Sequence, residues 1–365
     1  MHHPVRLTRL VSALAVAMLA APVAVLASPA TAGAATAAVT RDRADAAAGW
    51  LTRQLDPATH TVLGKFGPDY GLTADVVLAL DAAGSGQATA RAATRALSTH
   101  VLAYTAFGDP KERYAGAFAK LLVVSAAQKS ARISPRAFGA GPRKNLVAGV
   151  RALECGTAVR TDCSARDKGR FADISAFGDF SNTFGQSLAL IGLQRTTSTG
   201  PSSASIGFLR KQQCADGSFP ESFHAATCTG SVDATGFAVQ ALTAVGGSKA
   251  SSSAQRAGRW LRTKQHADGS FTANGTRNAN TTGIAAQALA VLGRDVEAAK
   301  ARIFLRHLQV LCGGKAADRG KVRYDRKGGG EPVRATAQAV PALAGSTLAD
   351  VTSRGAVRAA DTLAC

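Results

Sequence analysis

Acidic residues are scarce in this 365-residue chain, and the first 40 residues contain none. Two arginines near the start precede an apolar run from Leu10 to about Ala27, and small residues follow it. This order is typical of a secretory signal peptide. We predict that the signal peptide occupies residues 1–36, with cleavage between Ala32 and Ala37. Because no cysteine lies near that junction, a lipid-anchored lipoprotein is excluded.

Long apolar runs are absent after the signal peptide, so no membrane span is expected after signal cleavage. The shortage of acids leaves a net charge of +19, or +17 once Arg6 and Arg9 are removed. Such a charge favours polyanions through long-range attraction. For an exported protein these would be anionic cell-wall polymers or lipid surfaces, and no nucleic-acid partner is expected. Alternatively, the basic residues, which are spread along the chain, only solvate the outer surface.

The chain also lacks any CxxC spacing, and its histidines do not cluster with its six cysteines. We therefore expect no metal site, and no cofactor of any kind is predicted. Six cysteines in an exported protein favour three disulfides in an oxidising compartment. Pairing sequence neighbours is the simplest arrangement, and it joins Cys155 to Cys163, Cys214 to Cys228, and Cys312 to Cys365.

An internal repeat is the most informative feature of the sequence. Residues 208–219 match residues 260–271, and residues 233–242 match residues 280–289 further on. Weaker copies extend the pattern over the mature chain, and a predicted helix over 110–129 completes the series. A period of this size indicates a repeat architecture, here of six helix pairs.

The two helices of each pair differ in polarity. The first, such as 252–265, alternates apolar and charged positions and so has one solvated face. The second, such as 234–245 or 281–292, is almost uncharged and rich in Ala, Gly, Val and Leu, which indicates burial on most sides. We therefore predict an all-α fold over residues 41–365. It is a double ring of six helical hairpins with a short C-terminal helix.

The link between the helices carries the string Gln-x-x-Asp-Gly-Ser-Phe at 213–219 and 265–271. Asp-Gly favours a tight turn because glycine accepts positive φ, and the phenylalanine then enters the core. The glutamine, five residues before the serine, is expected to bond helix-end groups of a neighbouring repeat. We interpret the string as structural and not catalytic.

These strings resemble the repeat of the squalene cyclase and protein prenyltransferase superfamily, with Phe219 and Phe271 where the cyclase motif usually has Trp. The resemblance covers roughly residues 41–345 and implies an (α/α)6 toroid whose inner helices surround a central cavity. The superfamily includes terpene cyclases, prenyltransferase β-subunits, thioester-containing complement domains, cobalamin carriers and secreted bacterial proteins without assigned activity.

The motifs of the superfamily's enzymes are missing from this chain. It has no Asp-x-Asp-Asp acid, no Asp-Asp-x-x-Asp, no thioester string and no prenyltransferase zinc set, and aromatics make up only 5% of its residues. A carbocation cavity needs aromatic faces, so cyclase chemistry is disfavoured. Cobalamin carriers have a second, β-rich domain for which the chain leaves no room. The resemblance therefore implies the secreted, non-cyclase branch, and we lean against an enzyme.

A ligand is expected at the mouth of the inner barrel, where helix N-termini converge. The alternative for Asn182, Asn280 and Asp233 is that they are ordinary helix N-caps. Gln240 and Gln287 either join inner helices or face the cavity. Asp75 could act as a general acid, although a solvated face for it and Asp81 is the alternative. The candidate residues are Asp69, Tyr70, Asp75, Arg113, Tyr114, Asn182, Asp233, Gln240, Asn280, Gln287 and Arg334.

Three hypotheses for function follow from these features. The first is a secreted binding or scaffold protein, possibly cell-wall associated, that takes an unknown small, apolar or envelope-derived ligand in the cavity or at its rim. The second is an extracellular enzyme, either terpenoid cyclase-like or a polysaccharide lyase or hydrolase. The third is binding of a cationic outer surface to anionic polymers, which salt would weaken.

Overall fold

The computed structural model describes residues 39–40, 42–130, 133–139 and 144–365. The predicted signal peptide, 1–36, lies outside these residues. Helices dominate the described part of the chain, and its strands are two or three residues long. In chain order the helices are α1 (Arg43–Thr52), α2 (Tyr70–Ala83), α3 (Gln87–Thr99), α4 (Val101–Ala106), α5 (Ala115–Ala127), α6 (Leu146–Arg151), α7 (Thr183–Thr196), α8 (Ser203–Lys211), α9 (Val232–Val245), α10 (Ser248–Lys264), α11 (Ala279–Val291), α12 (Asp295–Leu308) and α13 (Pro332–Ala344).

The predicted double ring is confirmed. Helices α2, α5, α7, α9, α11 and α13 pack side by side, and α13 closes on α2. The outer helices are α1, α3, α6, α8, α10 and α12. The short helix α4 follows α3 and belongs to the same helix pair. Lys120 meets Asp75, and each is the sixth residue of its helix, so α5 and α2 run in the same direction. We call the end where the inner helices begin the open end, and the other the closed end.

Small residues let the inner helices approach closely. A Cβ on Gly283 would lie 2.3 Å from the carbonyl oxygen of Gln338, so only glycine fits where α11 crosses α13. The predicted contrast in polarity also holds, since α11 is buried from Thr281 to Leu289 whereas α10 exposes charged side chains such as Arg259. Burying one face of the outer helices and nearly all of the inner ones produces a continuous core.

The glutamine of the link joins neighbouring repeats, as predicted. Gln265 Nε2 donates to the carbonyl oxygens of Gly269, in its own turn, and of Glu297, in the next outer helix. Gln309 makes the same pair of bonds to Gly320 and, at 2.8 Å, to Arg43 of α1. The sixth repeat is therefore bonded to the first. The following Phe271 is fully buried, which fits a structural motif.

Residues 346–365 form a C-terminal strap across the closed end, and they replace the short helix expected there. Gly345 ends α13 in the left-handed conformation. The strap then satisfies its backbone groups on other elements: Ser353 N donates to Ala127 O, and Val357 N donates to Gly84 O. Its last strand, β8 (Thr362–Leu363), pairs in parallel with β1 (Val39–Thr40). A helix cannot form because these partners fix an extended backbone.

All three predicted disulfides are confirmed. Cys155 bonds Cys163 and Cys214 bonds Cys228 within loops. The third joins Cys312 to Cys365 and so fastens the end of the strap. No helix in the described ranges is both long and apolar enough to cross a bilayer.

Short hairpins shape the loops of the ring, and α5 is shorter than predicted. The helix expected over 110–129 begins only at Ala115, because Arg113 pairs with Ile174 in an antiparallel bridge. The hairpins are β2 (Val62–Gly64) with β3 (Gly67–Asp69), β4 (Ile133–Ser134) with β5 (Ala137–Phe138), and β6 (Thr272–Ala273) with β7 (Thr276–Arg277).

Candidate functional site

Two of the predicted rim residues are helix N-caps at the open end. Asp69 Oδ1 accepts a hydrogen bond from Leu72 N at 2.7 Å and caps α2. Asn182 Oδ1 accepts one from Gly185 N at 3.1 Å and caps α7. Both satisfy backbone donors of the first turn, which is the ordinary reason for Asp or Asn at this position.

A cluster of charged side chains lies just inside the open end. Asp75 Oδ1 accepts a hydrogen bond from Lys120 Nζ at 2.7 Å, and Arg334 approaches the other carboxylate oxygen at 3.5 Å. Arg334 also lies 3.6 Å from Asp69. Three inner helices, α2, α5 and α13, thus contribute to one ion-pair network. Asp75 belongs to this network and not to a solvated face.

The electrostatics of Lys120 follow from its position. Burial lowers the pKa of the ammonium, but the Asp75 carboxylate and Tyr104 outweigh burial, so the pKa is raised. For the Tyr104 hydroxyl, burial has the opposite effect and raises the pKa. Tyr70 stacks on His100 with ring centroids 5.3 Å apart and lies 6.4 Å from Tyr104. The predicted Tyr70 therefore belongs to an aromatic group beside the ion pairs.

On the far side of the ring, Asp233 and Asn280 are not N-caps. The caps of α9 and α11 are Ser231 and Asn278, so the predicted pair lies within the first turns. Asp233 Oδ2 accepts a hydrogen bond from Thr281 at 3.3 Å. Its Oδ1 and the Oδ1 of Asn280 are buried without a partner in the described residues. Burial raises the pKa of Asp233 to about 6.

The contacts of Arg113 and Tyr114 hold two loops together. Arg113 exchanges two backbone hydrogen bonds with Ile174. The hydroxyl of Tyr114 donates to Glu112 at 3.0 Å and lies 3.1 Å from Ser175. These bonds fasten the loop before α7 to the loop before α5, so both residues support the rim and do not face the barrel axis together with Asp75.

The central cavity is small. Its volume is about 40 Å³, compared with about 300–1,000 Å³ for pockets that hold small-molecule ligands. A few water molecules would fill it. Residues of all six inner helices and one residue of the strap line it: Asp75, Leu78, Lys120, Leu188, Phe237, Ile284, Gln287, Ala337, Gln338, Pro341 and Leu348.

The two inner-helix glutamines have different roles. Gln287 lines the cavity, where its Nε2 donates to Gly283 O at 3.3 Å and its buried Oε1 finds no partner in the described chain. Gln240 Oε1 accepts a hydrogen bond from Leu348 N at 3.0 Å. Gln240 therefore holds the strap, and the strap places Leu348 against the cavity.

Exposed phenylalanines project from the loops that lead into the first three inner helices. Phe66, at the tip of the β2–β3 hairpin, is 94% exposed, Phe107 is 81% exposed and Phe177 is 78% exposed. Phe107 also has a φ of 48°, which is unfavourable for a bulky residue. Charges in the first two loops balance, since residues 62–70 and 107–114 each carry as many acids as bases.

Two open pockets lie among these and the other loops. One, of about 590 Å³, separates the β2–β3 hairpin from the start of α13. The other, of about 570 Å³, lies between residues 220–232 and the β6–β7 hairpin. Both are lined by a mixture of polar and apolar groups. Their charged or aromatic lining residues are Arg53, Asp56, Lys65, Asp69, Glu331 and Arg334 in the first, and Glu221, Trp260 and Lys264 in the second.

Sequence reasoning missed Lys120, which donates to Asp75 in the ion-pair network. The signal was present, because Lys120 is the one charged residue of an otherwise apolar α5. Asp81 was also misplaced, since it is buried at the closed end and binds Gln128. Groups of three or more His, Cys, Asp or Glu side chains that could hold a metal ion do not occur among the described residues.

No protein-family model matches the chain, and no curated protein sequence is similar to it. Solved structures are similar in fold. The type II terpene cyclase MstE from Scytonema has a TM-score of 0.57 at 13% identity, with 83% of this chain and 96% of that chain covered. The unsaturated glucuronyl hydrolase from Bacillus sp. GL1 has a TM-score of 0.54 at 13% identity, with coverages of 83% and 95%.

A third similar structure is the ent-copalyl diphosphate synthase from Streptomyces platensis, with a TM-score of 0.50 at 20% identity. The alignment covers 76% of this chain but 52% of the synthase, so the chain spans about half its length. All these identities are low, and the similarity concerns the arrangement of the helices. The chain has the (α/α)6 toroid fold that the terpene cyclases and the glucuronyl hydrolase also have.

Proposed function

We propose that the chain is a secreted binding protein that takes an envelope glycan on the open end of its ring. Three disulfides and the predicted signal peptide support an extracellular location. The observation that carries the proposal is the group of exposed phenylalanines, of which Phe66 is the most exposed. Open pockets that contain polar groups lie among the same loops. The central cavity, at about 40 Å³, leaves no space for an isoprenoid.

A sugar suits this surface better than an apolar or a highly charged ligand. Each sugar ring has apolar C–H faces that pack on aromatic rings and hydroxyls that need polar partners. The balanced charges of the two loops that carry Phe66 and Phe107 offer little attraction to a polyanion. A similar toroid, the glucuronyl hydrolase, is described as responsible for the degradation of glycosaminoglycan, which adds support for a glycan.

Affinity electrophoresis of the exported protein in gels that contain wall polysaccharides tests the proposal. We expect retardation by at least one glycan, and we expect Phe66→Ala with Phe177→Ala to weaken it by about tenfold or more. The matched control replaces Val296 and Ile303, exposed apolar residues of α12, by alanine. Equal losses in both variants, or binding to lipid vesicles but to no glycan, would contradict the proposal.

A second function, glycan hydrolysis, is favoured by the state of Asp233. Its pKa of about 6 makes it a proton donor near neutral pH. Asp75, on the opposite inner helix and paired with Lys120, supplies a second carboxylate. Glycosidases use one carboxylic acid and one carboxylate. If this function is correct, Asp233→Asn abolishes release of reducing ends and leaves retardation in the gel unchanged; a wild type that releases none excludes it.

A further inference from the structure

Three basic side chains line a groove on the outside of the ring, away from the rim loops. Arg91 and Arg95 lie one turn apart on α3, and Lys129 follows the C-terminal end of α5. The groove has a volume of about 510 Å³. Its other lining residues are mostly hydrogen-bonding groups, and no carboxylate occurs among those described: Thr94, Ser98, Gln128, Ser130, Ile133, Gly139 and Ser353.

Close ion pairs within the described part of the protein do not neutralise the charges of the groove, although the buried Asp81 attracts Arg91 at longer range. The ion pairs of the described residues involve none of these three side chains. Like charges four residues apart destabilise a helix by about 0.2–0.5 kcal/mol, so the pair Arg91 and Arg95 is unfavourable without a counter-charge. The buried Asp81 behind the groove is engaged by the Gln128 amide.

Folding gathers charges that look dispersed in the sequence. The basic residues were expected to be spread over the surface, yet α3 brings Arg91 and Arg95 to the start of a strongly basic segment. That segment, residues 129–144, contains five basic residues and no acidic one. The first two rim loops, residues 62–70 and 107–114, in contrast, balance their charges.

We propose that this groove binds neighbouring phosphate groups of a polyphosphate chain. A guanidinium group forms two parallel hydrogen bonds to phosphate oxygens, and two arginines one turn apart present two such forks. The ammonium of Lys129 adds a third positive charge, and the hydroxyls of Ser98 and Ser130 line the same space. The groove is larger than one phosphate, so adjacent phosphates of a chain fit together. This site is separate from the proposed glycan site at the open end.

Fluorescence polarisation with labelled inorganic polyphosphate, at moderate salt, tests the proposal on the exported protein. We expect Arg91→Ala, Arg95→Ala and Lys129→Ala together to weaken binding by about tenfold or more, because charge-assisted hydrogen bonds are lost. The matched control removes the same charge from exposed positions of α10 and α12, with alanine at Arg259, Lys300 and Arg306, and we expect about a twofold change at most, from reduced overall attraction.

A second variant separates hydrogen bonding from charge. Arg91→Lys with Arg95→Lys keeps the charge but removes the paired bonds, so its affinity should fall between those of the wild type and the triple variant. Equal losses in the groove and control triples would show attraction by overall charge and overturn the proposal. So would unchanged binding in the groove triple, or displacement by polygalacturonate as effective as by unlabelled polyphosphate, since carboxylates would then serve equally well.

Discussion

The two ends of the inner barrel are built in different ways from the same repeated helix. At the open end, each inner helix follows its own loop, and these loops carry the helix caps and the exposed phenylalanines. At the closed end, one strap, residues 346–365, crosses the ends of several inner helices and brings Leu348 to the cavity. The open end can therefore vary loop by loop, whereas the closed end depends on one segment.

This difference explains why the polar caps and the charged side chains of the candidate site lie at the open end. Helix starts require polar caps, and six parallel inner helices place six sets of them together. Asp69 and Asn182 are caps, and Asp75 lies nearly two turns deeper than Asp69. At the closed end the carbonyl groups of the helices are instead bonded by the strap, as Ala127 is by Ser353. That end is sealed mainly by backbone contacts.

Breaking the strap should have the largest effect. Cys312→Ser with Cys365→Ser opens a loop of sequence separation 53, and the chain-entropy model predicts a loss of about 4 kcal/mol in the free energy of unfolding. The control, Cys155→Ser with Cys163→Ser, opens a separation of only 8 and should cost about 2.5 kcal/mol. Denaturant unfolding measures both. A smaller loss for the longer loop would contradict the role assigned to the strap.

Breaking the ion-pair network tests the open end. Asp75→Ala leaves Lys120 partly buried with its main partner removed, so we expect a loss of about 2–3 kcal/mol, between the values for surface and buried pairs. Asp75→Leu with Lys120→Met removes both charges and should recover most of that loss. Thermal and denaturant unfolding compare the variants. If the double variant is less stable than Asp75→Ala, the pair is not the source of the effect.

Acidification should stabilise both ends, over different pH ranges. Burial raises the pKa of Asp233, at the open end, to about 6, and that of Asp81, at the closed end, to about 7; both are near 3.9 in an unfolded chain. Because the folded protein binds these protons more tightly, this stabilisation is complete below about pH 4 and disappears as pH rises through the folded pKa values.

The matching variants separate the two contributions. Asp81→Asn should remove the part of the pH dependence that ends near pH 7, and Asp233→Asn the part that ends near pH 6, respectively about 4 and about 3 kcal/mol at about 1.4 kcal/mol per pKa unit. Chemical denaturation at about four pH values between 4 and 8 gives the curves. Variant curves that parallel the wild type would assign the pH dependence to other groups.

The smallest effect is expected at the exposed rim. Phe66→Ala removes a side chain that is 94% exposed, so the free energy of unfolding should change by less than about 0.5 kcal/mol. Phe118→Ala, in the core of α5 and 1% exposed, should cost about 3–5 kcal/mol in the same assay. A large loss for Phe66→Ala would mean that the rim is structural, which weakens its assignment as a ligand surface.

Much of the fold could be predicted because its signals are local and repeated. The Asp-Gly-Ser-Phe turns, the polarity of paired helices and the link glutamines each act within one or two repeats, so Gln213 and Gln265 were interpreted correctly. Neighbouring cysteines paired as expected. The strap could not be predicted, because its partners are remote: Thr362 pairs with Val39, and Arg195 binds the carbonyl of Leu348.

The candidate site was predicted only in part, for a similar reason. Asp69, Tyr70, Asp75 and Arg334 do come together, because all four lie near the starts of adjacent inner helices. Lys120, which pairs with Asp75, lies on a third helix. The N-cap alternative applied to Asn182 but not to Asp233 or Asn280, since a shift of two residues from cap to first turn decides which way a side chain points. The volume of the cavity depends on how all six helices pack, which no single motif encodes.

The bond from Gln309 to Arg43 gives the ring a mechanical property that open repeat arrays lack. An open array has two terminal repeats, each with one uncovered side, and needs caps to stay soluble. Here every repeat has two neighbours, and the terminal strands β1 and β8 lie side by side. Unfolding therefore has no terminal repeat from which to fray. Joining the termini and cutting another surface loop should give a circularly permuted ring with the same inner barrel.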